Sequence, residues 1–96
     1  MIKHIVCFKL RPGESVEEAV RVLKSMEGKV PSAEKIEVGA DFLHSPRSYD
    51  IILQVWLSGR DDLDAYQRDE YHCSVVKKHM HAVVETSVAV DYDLEE

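Results

Sequence analysis

Histidine titrates near neutral pH, so an imidazole aimed into an apolar interior can accept or return a proton where water is scarce. Two positions in this chain answer that description. His4 lies in Ile2-Lys3-His4-Ile5-Val6-Cys7-Phe8-Lys9-Leu10, where alternation puts it on one face with Ile2, Val6, Phe8 and Leu10. His72 stands at helical spacing from Val75, Val76 and His79, on what reads as the buried stripe of the last helix. Two titratable rings facing inward describe a polar spot inside an apolar pocket, the raw material of a small-molecule site. The plainer alternative is that both rings satisfy hydrogen bonds under a helix and do nothing else.

Other chemistries have less behind them. His72 and His79 are about 10 Å apart along a helix, too far to share one metal ion. Cys7 and Cys73 form no CxxC pair and read as two reduced thiols of a cytoplasmic protein. Cys73 follows His72 directly, which turns the side chains about 100° apart and argues against a Cys-His nucleophile pair. Gly13, Gly28, Gly39 and Gly59 are scattered over turns and element ends, so no phosphate-cradling loop is expected. Neither a metal nor a cofactor is expected. A net charge of −6 disfavours nucleic acid and anionic membrane as partners. The one basic run, Lys77-Lys78-His79-Met80-His81, falls at a helix C-terminus, where cations complement the dipole. Asp61, Asp62 and Asp64 do the same at a helix start. No stretch approaches the roughly 20 apolar residues of a membrane span, and the opening residues pass into a strand without a signal-peptide pattern.

The elements that must position the histidines can be read from pattern. After the first strand, Arg11-Pro12-Gly13 turns the chain and Ser15-Val16-Glu17-Glu18 matches a capping box. Val16, Ala19, Val20, Leu23 and Met26 mark the buried stripe of a helix that Gly28 and Pro31 end. Ala33 to Phe42 reads as a strand with a bulge at Gly39. His44-Ser45-Pro46-Arg47-Ser48 connects it to a strand from Asp50 to Leu57, whose nearly continuous apolar run implies cover on both faces. Leu63 and Tyr66 lie one turn apart in a second helix, which Asp69 restarts as an N-cap. Glu85 to Tyr92 alternates and forms the last strand.

The order strand-helix-strand-strand-helix-strand predicts a single α+β domain over residues 1–96, a ferredoxin-like split βαβ with both helices on one face of a four-stranded antiparallel sheet. The other face then carries Ile5, Cys7, Ile52 and Trp56 uncovered. A homodimer packing two such faces into one barrel would bury them.

With these elements in place, the chain resembles the stress-responsive dimeric α/β-barrel (Dabb) family. The resemblance rests on Ile2 to Leu10, Ile36-Glu37-Val38-Gly39, Ser45 to Asp50, Tyr66 with His72, and Val88-Ala89-Val90-Asp91-Tyr92. At Asp69-Glu70 the chain departs from the His-Pro that the family often carries there. Similarity to the family's olivetolic acid cyclase-like branch implies cofactor-free chemistry in a pocket between sheet and helices. On that likeness His4, Tyr66, His72 and Asp91 are the catalytic positions, and Val6, Phe8, Leu53 and Val55 line the substrate. His72 would be the general base, Tyr66 would stabilise a developing oxyanion, and Asp91 would hold the second nitrogen of His72. The expectation is a cytoplasmic homodimer that binds a small hydrophobic carbonyl or phenolic compound and, in the stronger form, transforms it as a cyclase or isomerase. The alternative is a non-enzymatic stress-responsive binding or assembly protein with structural histidines.

Overall fold

The computed structural model describes residues 1–95. The elements run β1 (Ile2–Leu10), α1 (Val16–Lys24), β2 (Ala33–Ala40), β3 (Ile51–Leu57), α2 (Arg60–Arg68), a π-helical segment (His72–Lys77) continuing into α3 (Lys78–Val83), and β4 (Val84–Asp93). The four strands form one antiparallel sheet in the order β2-β3-β1-β4. The helices cover one face of it, as the split βαβ reading requires. Ile51, Leu53, Val55 and Leu57 of β3 share that core with Ala19, Val22 and Leu23 of α1 and with Met26 just beyond its end. The second face carries no layer, so Ile52 and Trp56 are half-buried and the run in β3 is covered on one side by this chain alone.

Local chemistry explains the element ends. Ser15 Oγ accepts from the Glu18 amide at 3.0 Å and starts α1. The box expected at Ser15 and Glu18 is only half formed, because the Glu18 carboxylate pairs with the Arg21 guanidinium one turn on. Gly28 takes a left-handed conformation (φ 75°) beyond the helix end. β2 stops at Ala40, short of the expected Phe42: the Asp41 amide still donates to the Asp50 carbonyl at 2.8 Å, but its carboxylate accepts from the His44 amide at 2.7 Å as the chain turns. Phe42 beyond it is 90% exposed. The irregularity of β2 lies between Ala33 and Lys35, not at Gly39. Gly39 instead opposes Ile52 so closely that a Cβ would come within 3.3 Å of Ile52 Cγ2.

Asp69 behaves as the sequence suggests. It leaves helical geometry (φ −57°, ψ 134°), and its Oδ1 accepts from the His72 amide at 3.0 Å. From His72 the chain winds as a π-helix, and this wider winding changes the buried stripe. His72, Val76 and Met80, each four residues from the next, form the buried line. Val75, which α-helical spacing would place on that stripe, is 40% exposed, and His79 is half-buried. In a wider turn the residue three positions on falls further short of a full circle than in an α-helix, which takes Val75 off the face of His72.

Candidate functional site

His4 and His72 are 6% and 7% exposed, and they approach each other from opposite layers of the domain. His4 rises from the helix-facing side of β1. His72 descends from the first turn after Asp69. Between them lies Tyr66 of α2, wholly buried. Its ring stacks on His72 with centroids 4.3 Å apart and meets His4 edge-on at 5.6 Å.

These rings form one wall of a cavity of about 210 Å³ between the sheet and the second helical layer. Val6, Phe8 and Leu53 contribute the apolar sheet side. Val55 is not in its lining: it is fully buried in the core between sheet and helices, opposite His4 in the β1–β3 register. Residues that sequence pattern does not single out complete the lining, among them Gln67, Lys77, Met80, His81 and Ser87. Met80 and His81 reach it through the π-turn, a change of winding that the side-chain pattern does not announce. Ser87 reaches it through the strand register, which sets it opposite Phe8.

Asp91 sits elsewhere than on the expected nitrogen. The β1–β4 register places it opposite His4, and its Oδ1 closes on His4 Nδ1 in a short contact. A carboxylate on Nδ1 fixes the proton there and leaves Nε2 as the acceptor. His72 has no such carboxylate, and its Nδ1 is buried without a hydrogen bond. Burial lowers its pKa to about 4, with help from the nearby Lys77 charge and against the opposing pull of Asp69. At neutral pH it is therefore an uncharged imidazole. Tyr66 is shifted the other way, held in its phenol form chiefly by burial. Its hydroxyl donates to Met26 Sδ at 3.7 Å, an atom outside the cavity wall.

Among the described residues, no three His, Cys, Asp or Glu side chains gather as a metal site, and no helix is long and apolar enough to cross a membrane. Cys7 and Cys73 are free thiols.

A split βαβ sheet with a ligand-sized cavity under its helices defines the class: a ferredoxin-like α+β protein. The chain belongs to the Dabb family, the stress responsive A/B barrel domain, whose profile matches residues 2–94. It is similar to a dimeric ferredoxin-like protein of unknown function from Bacteroides fragilis, with 29% identity, 97% of this chain and 95% of that chain covered, and a TM-score of 0.79. A dimeric ferredoxin-like protein of unknown function from Thermobifida fusca shares 25% identity over 97% of this chain and 90% of that one, with a TM-score of 0.84. A hydroxynitrile lyase from Passiflora edulis has the same fold at 14% identity, covering 99% of this chain and 94% of that one, with a TM-score of 0.82. No curated protein matches the chain.

Proposed function

We propose that this chain binds a small apolar carbonyl compound between sheet and helices and moves a proton on it without a cofactor, with His4 and Asp91 as the base dyad. The observation that carries this reading is the Asp91 carboxylate on Nδ1 of His4, an imidazole that lines the cavity beside Val6, Phe8 and Leu53. In the step, His4 Nε2 takes a proton from the carbon next to the carbonyl. The C–H electron pair forms the enolate, whose charge collects on oxygen. His72, uncharged and at the same wall, donates a hydrogen bond to that oxygen from its protonated ring nitrogen. Lower in basicity than an ordinary imidazole, His72 suits the donor's part better than the base's. Tyr66 serves as the aromatic floor against which both imidazoles are held. Aldol, isomerase and cyclase steps share this proton transfer, and one protein of like fold is by name a hydroxynitrile lyase.

Size supports a modest substrate. Engineered apolar cavities of about 150 Å³ hold benzene, so 210 Å³ suits one ring with a short substituent. The test is deuterium incorporation at the methyl group of acetophenone in heavy water, followed by proton NMR. The wild-type chain should accelerate exchange over buffer, and His4→Gln and Asp91→Asn should each remove about 10²-fold or more of that acceleration. Exchange no faster than buffer, or unchanged in His4→Gln, would end the proton-transfer reading.

One observation favours the non-enzymatic alternative, a binding or assembly protein. The Tyr66 hydroxyl is spent on Met26, and stacking on His72 is ordinary aromatic packing. Ligand binding without exchange would favour it. For assembly we propose a cytoplasmic homodimer through Ile5, Cys7, Ile52 and Trp56, a reading supported by the dimeric relatives from Bacteroides fragilis and Thermobifida fusca.

A further inference from the structure

The chain has 18 acidic side chains against 12 basic ones, yet none of the acidic ones lines the cavity. The charged and titratable lining is Lys77, His81, His4 and His72, with the Tyr66 phenol between the last two. Lys77 and His81 are four residues apart, where the π-segment passes into α3. Neither makes an ion pair among the described residues. The Lys77 ammonium is close enough to His72 to disfavour a second positive charge there. Two carboxylates beside the lining histidines are already engaged: Asp91 with the His4 ring, Asp69 with the His72 backbone amide. His72 Nδ1 is buried and unpartnered at the same cavity.

We propose that the natural ligand of this cavity is an anion: the carbonyl compound of the reading above also carries a carboxylate, its apolar body lying among Val6, Phe8 and Leu53 and its carboxylate facing Lys77 and His81. This deepens the pocket reading above and rests on it. Apolar walls beside the Lys77 ammonium match an amphiphile with one negative end, to which the His81 ring can also donate, and a cation would meet the lysine's uncompensated like charge. Because the chain as a whole is acidic, long-range attraction adds nothing. Recognition of the anion must come from these two side chains at short range, and must weaken as salt screens them.

The test uses benzoate and its neutral near-isostere benzyl alcohol, titrated into the full-length chain and followed by amide NMR shifts. Benzoate should bind at least about tenfold tighter than benzyl alcohol, with shifts centred on Val6, His72, Val76 and Ser87. Lys77→Gln should collapse that preference, Lys77→Arg should restore it, and added salt should erode it. Benzyl alcohol binding as well as or better than benzoate, in the same place, would overturn the anion inference and leave the pocket reading standing. A preference that survives the double variant Lys77→Gln with His81→Gln would overturn it too. Binding of neither probe would sink the pocket reading and this inference together. Benzoate shifts confined to other surfaces would overturn the assignment of the anion to this cavity.

Discussion

His72 is held by shape: one face on the Tyr66 ring, its edge buried, and a lysine close enough to discourage its protonation. The consequence is a signature in stability. Its folded pKa of about 4 lies below the ordinary 6.5, so between these values the unfolded chain binds the proton more readily. Stability from this group is complete above pH 6.5 and falls as pH drops toward 4. After discounting for solvent at the open side of the cavity, the loss should be about 1–2 kcal/mol. Urea denaturation at pH 7 and pH 4.5 should therefore show a smaller pH-dependent loss in His72→Gln than in the wild type, and equal losses would refute the assignment. Tyr66 gives a second prediction. Its hydroxyl meets only a thioether, so Tyr66→Phe should cost less than about 1 kcal/mol. Tyr66→Ala, which empties the space beneath both imidazoles, should cost about 3–5 kcal/mol by the same denaturation measurement. His4, His72 and Tyr66 are readable from sequence as inward groups because their neighbours are apolar at the right period. The partner of Asp91 is not readable, because which ring it reaches depends on strand register, and no local pattern encodes that.

At the scale of elements, Asp69 is the hinge on which the site turns. It ends α2, accepts from the His72 amide, and offers its carbonyl to the Cys73 amide at 2.9 Å. Asp69→Ala should cost about 1 kcal/mol, the usual loss for a cap. It should also speed hydrogen exchange at the His72 and Cys73 amides while leaving Ala19 in α1 unchanged. Equal acceleration in both helices would mean global destabilisation and no special role for the cap. Asp69 is legible as a cap from its type and its position after Tyr66. The π-turn behind it is not, because a helix-length apolar pattern fits either winding until tertiary packing selects one. That selection is why Val75 lies outside the stripe its spacing predicts and Met80 lies inside it. The strand ends show the same division. Alternation locates β1 and β3, while the early end of β2 goes with a turn in which the Asp41 carboxylate accepts from the His44 amide, which side-chain periodicity does not record.

The molecule as a whole has one layered face and one bare one, and the bare face is graded. Across the strands, one rung holds Lys35, Trp56, Lys3 and Tyr92, with both ammonium groups over the indole at 4.3 and 4.7 Å. The next holds Glu37, Gln54, Ile5 and Val90, and the next Gly39, Ile52, Cys7 and Val88. Polar groups thus collect toward β2, and apolar ones toward β1 and β4. Val88, Val90 and Tyr92 are 50%, 61% and 42% exposed on that apolar half. An apolar patch bordered by charge is what a protein interface presents, and a second copy supplies a self-complementary cover through a twofold axis. If the homodimer forms this way, light scattering at micromolar concentration should give about twice the 11.0 kDa chain mass. Val90→Asp should then bring the mass down to the monomer and shift Trp56 emission to longer wavelength as its surroundings become wet. Glu37→Ala, at the polar margin, should change neither reading. A wild-type chain that runs as a folded monomer, or a Val90→Asp variant that stays dimeric, would show that a different surface joins the copies or that none does.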